Sequence, residues 1–268
     1  MTAAPDGLAF FGLPYQPANY YLEVNHEIIA EINIDFFLEF NMLSKLRNFL
    51  DLLVEISQLP VVHLHFDPDV NPDDVRLTYK YFTKPHAKYK IFKNKSLGAA
   101  LIDLGRFGTR EEYLQNIKAR YEAKRAKSRG YIFCEIDRNN YIDEIHEINT
   151  SLDVRQGQPM KASYLKKNNY YEPVKNYKYY GVLSCDGRLM AYCTLGIYGD
   201  FVAFYQLMGH RNNDGTMHLL TTEAICRFIG DSTIKYIMYD TYFGATSGLK
   251  RFKTMIGFEP YRVKYHVK

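Results

Sequence analysis

Tyr180-Gly-Val-Leu-Ser-Cys-Asp-Gly-Arg-Leu-Met-Ala191 is the stretch on which the fold turns. Two apolar runs flank Asp186-Gly187. An Asp-Gly pair in that setting is the strongest short-range signal of a β-hairpin, because glycine accepts the positive φ that a tight turn demands. The reading places strands at Tyr180–Ser184 and Leu189–Ile197. Gly199-Asp200 makes the next turn, and Phe201–Met208 the next strand, so three strands follow one another as an antiparallel meander. Beyond them the pattern predicts a helix over Thr216–Phe228, a buried strand over Ile234–Asp240 and a short helix over Ser247–Met255. Gly257 stops that helix, and a last strand runs over Pro260–His266.

Upstream of the hairpin, Thr109-Arg-Glu-Glu112 is a capping box, in which hydroxyl and carboxylate satisfy exposed amides reciprocally. It opens a helix that runs to about Ser128, and Gly130 stops it. Tyr131–Ile136 reads as a strand and Tyr141–Leu152 as a helix, followed by a long loop through Arg155-Gln-Gly-Gln-Pro-Met160. The main boundary falls at the capping box: an N-terminal α/β region over 1–108, then a domain over 109–268 led by a basic helix. In the first region, residues 20–34 read as strand, and Phe36–Leu59 as an amphipathic helix ended by Pro60. Val61–Phe66 is a strand, 67–74 is rich in turns with Asp73 or Asp74 opening a short helix, and strands follow near 88–93 and 99–104. The class is α/β (α+β): a mixed, mostly antiparallel sheet flanked by helices.

Composition narrows the function classes. The chain has 268 residues, 47% of them hydrophobic and 24% charged, enough to build a sizeable core. A net charge of +4 is too small to argue for nucleic-acid binding by itself. The 24 Tyr and 17 Phe, with no Trp, read as core and groove lining. Cys134, Cys185, Cys193 and Cys226 lie in apolar runs without a CxxC spacing, and read as reduced, buried residues of a cytoplasmic protein. No basic leader and no run of about 18 apolar residues is present, so no membrane span is expected.

Two further words carry a resemblance. Gly248-Leu-Lys-Arg-Phe-Lys-Thr-Met-Ile-Gly-Phe-Glu-Pro-Tyr261 resembles the ending of FemAB-like and related proteins of the GNAT superfamily. Leu101-Ile-Asp-Leu, followed by the capped basic helix, resembles the lead-in to the transferase domain of FemAB-like proteins. The first 95 residues match nothing named, and are readable as a degenerate first GNAT-like half.

The resemblance implies an N-acyltransferase that moves an acyl group from a thioester donor, an acyl-CoA, to a small-molecule or peptide amine. The alternatives are an aminoacyl-tRNA donor, for which Lys118, Arg120, Lys124, Arg125, Lys127 and Arg129 supply charge, and a non-catalytic binding module. The donor's pyrophosphate would lie at the start of the helix at Thr216, on Met208, His210, Arg211, Asn212, Asn213, Gly215 and Thr216. One glycine stands there where the family has two, and Asp214 adds an opposing charge. Asp240 is the base candidate and Tyr242 the acid candidate. Arg155, Gln156 and Tyr239 are the substrate-binding candidates, Arg155 through a carboxylate or phosphate. The same residues also allow a plain reading: Asp240 capping a turn, Tyr242 in the core, Arg155 holding its loop. His63 and His65 point to one side of a strand, but without a readable third ligand they indicate no metal site.

Overall fold

The computed structural model describes residues 53–268 apart from 87–89, 91, 156–157 and 244. The strand expected over 20–34, most of the helix expected over 36–59, much of the strand expected near 88–93, and Gln156 lie outside the described residues. Residues 53–58 are helical, as the end of that helix should be.

The strands are β1 (Val61–Phe66), β2 (Ala99–Asp103), β3 (Ile132–Glu135), the short pair β4 (Val154–Arg155) and β5 (Gln158–Pro159), β6 (Tyr177–Leu183), β7 (Leu189–Ile197), β8 (Phe201–Gly209), β9 (Tyr236–Thr241) and β10 (Glu259–Val267). The helices are α1 (Pro72–Thr83), α2 (Arg110–Asn116), α3 (Arg120–Ser128), α4 (Ile142–Thr150), α5 (Ala162–Leu165), α6 (Thr216–Cys226) and α7 (Ser247–Ile256). Eight strands form one sheet in the order β1-β10-β2-β9-β8-β7-β6-β3, and β4–β5 make a separate ribbon. β1 runs parallel to β10 and β8 parallel to β9, while the other neighbours are antiparallel. The mixed, mostly antiparallel sheet with flanking helices is therefore as expected.

The sheet carries apolar residues on both faces. On one face Phe204, Ile237 and Tyr239 pack against Ala123, Leu219, Ile225 and Ile256 of α3, α6 and α7. On the other, Phe66, Phe201 and Tyr265 meet Phe82 of α1, and farther along Tyr192 and Met208 meet Ile145 and Ile148 of α4. Fully burying one such side chain contributes about 1.5–3 kcal/mol, so the two faces hold the flanking helices in place.

Four expectations are corrected. The boundary at 108/109 does not divide the sheet: β1 and β2, from before it, pair with β10 and β9 from after it. The helix expected from Thr109 to Ser128 is two helices, because Ile117 turns extended to bury its side chain and the Ala119 amide then binds the Met255 carbonyl. The helix near Asp73 is a full twelve residues, capped by Asn71 with Pro72 in its first turn, a start that the sequence spells out. Cys185 is exposed, since it occupies the hairpin turn itself, whereas Cys193 is buried in β7. Among the described residues no helix is long and apolar enough to cross a membrane.

Candidate functional site

β8 and β9 pair over only three positions, Phe201 with Tyr236, Val202 with Ile237 and Ala203 with Met238. Beyond them the two parallel strands part, and each carries an irregularity on its divergent half. On β8 the register against β7 shifts between Phe204 and Gln206, so Tyr205 is an extra residue. On β9 the register against β2 shifts between Met238 and Thr241, leaving an extra residue at Tyr239–Asp240. Bulges of this kind bend a strand and re-aim side chains beside clefts. A meander leading to a splayed parallel pair, with a helix after the first strand of that pair, is the order that the resemblance implies. The fold is GNAT-like.

Several solved structures match part of this chain. FemX matches with a TM-score of 0.45 and 13% identity, over 61% of this chain and 59% of that chain. L-PGS from Bacillus licheniformis matches with a TM-score of 0.40 and 14% identity, over 60% of this chain and 57% of that chain. A tandem GNAT protein from the clavulanic acid biosynthesis pathway matches with a TM-score of 0.40 and 17% identity, over 61% of this chain and 50% of that chain. This chain thus spans between half and three-fifths of each of these neighbours. No protein-family model and no curated protein matches the sequence.

Asp240 is the distinctive residue of the GNAT-like splay. Its φ is +55°, the one positive value at a non-glycine position among the described residues. Holding such a residue in the left-handed region costs on the order of 1–3 kcal/mol, which the surrounding structure must offset. The residue is 2% exposed, and Lys95 Nζ, fully buried, pairs with its Oδ1. Among the described residues no donor reaches its Oδ2, which is buried. Lys95 comes from the loop before β2, and its carbonyl accepts a hydrogen bond of 2.8 Å from the Tyr265 hydroxyl of β10. Sequence reasoning missed Lys95: one lysine among several in a polar stretch carries no signal that the fold will bury it against a carboxylate 145 positions away.

Lys253 is the second residue that was missed. From α7 its Nζ donates 2.6 Å to the carbonyl of Thr241, next to Asp240, and lies 4.7 Å from the centre of the Tyr239 ring. Burial pushes this ammonium down to about 8, with the Asp240 charge opposing that fall. It lies within the Phe-Lys word that carried the resemblance, where helical spacing alone reads as an ordinary basic residue.

The other candidates separate into two groups. Tyr242 is partly exposed at the end of β9, and its hydroxyl pairs with Thr254 Oγ1 of α7 rather than with Asp240. Thr254 lines a cleft of about 400 Å3 together with Lys118, Arg251 and Met255. Tyr239, expected to touch substrate, is instead core: its ring packs on Phe204, Phe252 and Phe258. Arg155 is spent on its own loop, donating 2.6 Å to the Ile148 carbonyl, 2.9 Å to Ser151 Oγ and 3.1 Å to the Gly209 carbonyl. That clamp ties the β4–β5 ribbon to the end of β8, so the plain reading of Arg155 describes its contacts. Gln156 is outside the described residues.

The expected donor loop is held at several points by the chain itself, while Asn212 Nδ2 is buried without a partner among the described residues. Met208 is buried beneath α4, and the His210 amide binds the Met190 carbonyl at 3.0 Å. Burial lowers the His210 imidazole, with Glu147 opposing. Asn212 Oδ1 accepts from Thr216 Oγ1 at 3.1 Å, and Arg125 donates to the Asn213 carbonyl at 2.6 Å. Arg211 is exposed. Asp214, an opposing charge on paper, is offset by an ion pair with Arg129 and a 2.9 Å hydrogen bond from Tyr131. Gly215 begins α6 with φ +82°, and a Cβ there would overlap the Glu122 carbonyl of α3. The close approach that this glycine permits is to the chain's own helix. No side chain caps α6, so its first-turn amides are left for a ligand or solvent. The basic helix is likewise paired: Arg125 with Glu122, Lys127 with Glu223 and Arg129 with Asp214.

His63 and His65 do share a face, where both rings stack on His266 of β10 at 5.0 and 5.1 Å. Among the described residues no group of metal-ligating side chains is placed to hold an ion.

Proposed function

We propose that this chain is an N-acyltransferase that moves an acyl group from a thioester donor of the acyl-CoA kind to an amine. The single observation that carries the reading is Asp240. It is a carboxylate held at positive φ in a bulge where two parallel strands part, with one oxygen anchored by Lys95 and the other without a donor among the described residues. Strain and an orphaned acceptor persist where function retains them. Amine acylation forms a C–N bond, breaks a C–S bond and releases one proton from the attacking nitrogen. Asp240 Oδ2 is the group to hold that N–H and take its proton. The leaving thiolate takes a proton from Tyr242, whose hydroxyl sits on the α7 side of β9. The uncapped start of α6 and the cleft between Lys118 and Arg251 supply positive potential for a phosphate-bearing donor. The pairing of the basic helix with Glu122, Glu223 and Asp214 makes a tRNA donor the less favoured reading.

The test is calorimetric titration with acetyl-CoA, followed by thiol release in the presence of a panel of amines. Donor binding in the micromolar range, with turnover at least about tenfold lower in Asp240→Asn and unchanged binding, is the expected result. No binding at millimolar donor, or full turnover in Asp240→Asn, overturns the proposal.

A further inference from the structure

Three histidines meet at one edge of the sheet. β1 is the edge strand, and its neighbour in the sheet is β10, in a parallel register that sets His63 level with Lys264 and His65 level with His266. His63 Nδ1 lies 2.8 Å from His266 Nε2, with the two ring planes 10° apart. That is an N–H···N hydrogen bond, and it needs one of the two nitrogens to be without a proton. An imidazolium carries a proton on each nitrogen, so two charged rings have no acceptor to share and face each other as like charges. His65, with its ring centre 5.1 Å from that of His266, is placed differently. Its Nδ1 lies 2.9 Å from Asp200 Oδ2, and its amide donates 2.7 Å to Asp200 Oδ1. A proton on His65 therefore keeps a carboxylate partner, whereas among the described residues no carboxylate pairs with His63 or His266. The other charges at this face are Lys264, Lys235 at 3.4 Å from Asp200 Oδ2, the Lys268–Asp67 pair, and Arg262, which donates to the Leu59 carbonyl. Desolvation, then the charge of His63, His65 and Lys264, hold the His266 imidazole below 6.5, with Asp200 opposing. The inner face of the same two strands supports the candidate site. Phe66 of β1 and Tyr265 of β10 pack on Phe82 of α1, with ring centres 5.8 and 5.4 Å apart. The Phe82 carbonyl accepts from the Lys95 amide at 3.1 Å, the Tyr265 hydroxyl donates to the Lys95 carbonyl, and Lys95 pairs with Asp240.

We propose that the His63–His266 pair is an acid-sensitive latch on the edge strand: neutral or singly protonated it holds β1 against β10, and doubly protonated it releases β1 and loosens the Lys95 anchor of Asp240. An imidazole held below its unfolded value costs nothing at pH above about 6.5. As pH falls through that value, the unfolded strand takes up protons that the closed latch refuses, so the edge loses stability in acid. The latch belongs to the fold and stands whether or not the chain transfers acyl groups.

Backbone amide exchange of the full chain, followed by mass spectrometry and corrected for the intrinsic effect of pH on exchange, tests the latch with neither donor nor amine present. Its failure is therefore distinct from a failure of acyl transfer. Protection over β1 should fall at least about tenfold between about pH 7.5 and about pH 5, with a parallel fall over 93–97, while β7 keeps its protection. His63→Asn combined with His266→Gln replaces the pair by amides that hydrogen-bond without titrating, and should keep β1 protected in acid. His63 is exposed, so His63→Asn alone, which removes one of the two charges, tests the latch if the double variant folds poorly. Wild-type protection of β1 that is indifferent to pH, an equal acid loss in the variants, or a loss of the same size in β7 overturns the latch. Loss over β1 with none over 93–97 overturns its link to Asp240.

Discussion

The two faces of the splayed strands handle charge in opposite ways. On the α6 side, Asp214 has Arg129 and Tyr131, Glu223 has Arg110 and Lys127, and Glu122 has Arg125, so each acid there is answered by a neighbour. At the end of β9, Lys95 pairs with one oxygen of Asp240, and among the described residues the other oxygen has no donor. Paired surface charges contribute little, about 0–1 kcal/mol each, and mainly fix how helices sit. A buried acceptor left without a donor costs stability, and persists where it has something to bind or to do. The difference teaches that the charges of the glycine-bearing loop, which looks like the site in the sequence, are answered by the chain itself, while the strained carboxylate keeps one oxygen without a donor among the described residues.

Substitutions in the two regions should differ in size accordingly. Lys95→Met leaves Asp240 buried without its partner, and denaturant unfolding should show a loss of about 3–5 kcal/mol, largely recovered in Lys95→Met/Asp240→Asn. A single-variant loss below about 1 kcal/mol would remove the distinction between the faces. Gly215→Ala must carry a Cβ at φ +82° against the Glu122 carbonyl, so a loss of about 1–3 kcal/mol in a thermal melt is expected without any ligand present. Wild-type stability in that variant would free Gly215 from its packing role. Arg129→Ala breaks an exposed pair and should cost no more than about 1 kcal/mol, shrinking further in high salt.

The pH dependence sharpens the same comparison. Lys253 falls from an ordinary 10.5 to about 8, so between those values the unfolded chain binds the proton that the folded chain has released. Stability therefore rises with pH from about 8 towards 10, and the penalty from this group is fully present below 8. Lys253→Met should flatten the stability profile across that window. Above it the buried hydroxyls of Tyr113 and Tyr192, held well above 10.0 by burial, act in the opposite sense. An unchanged slope in Lys253→Met would show that its ammonium is not responsible.

Most elements after Tyr131 were legible because their signals are local. Asp186-Gly187 specifies a turn, Gly257 ends α7 at φ +97°, and near-continuous apolar runs specify strands that are buried on both faces. The break at Ile117 was not legible: no glycine or proline marks it, and it arises because the side chain is 4% exposed beneath α7. Nor was the sheet's continuity across 108/109, since β1 and β2 find their partners through β9 and β10, which follow them by well over a hundred positions.

The site divides the same way. By itself the sequence determined that a carboxylate and a tyrosine end the Ile234 strand and that a glycine opens the next helix upstream, because residue order and turn chemistry are properties of neighbours along the chain. Only the tertiary structure decided that Asp240 is strained and half-satisfied, that Tyr239 faces the core, that Arg155 is spent on its own loop, and that Lys95 is buried against Asp240. Those outcomes depend on which segments are brought within a few ångströms of one another, and on how little water remains between them, and no local pattern encodes either.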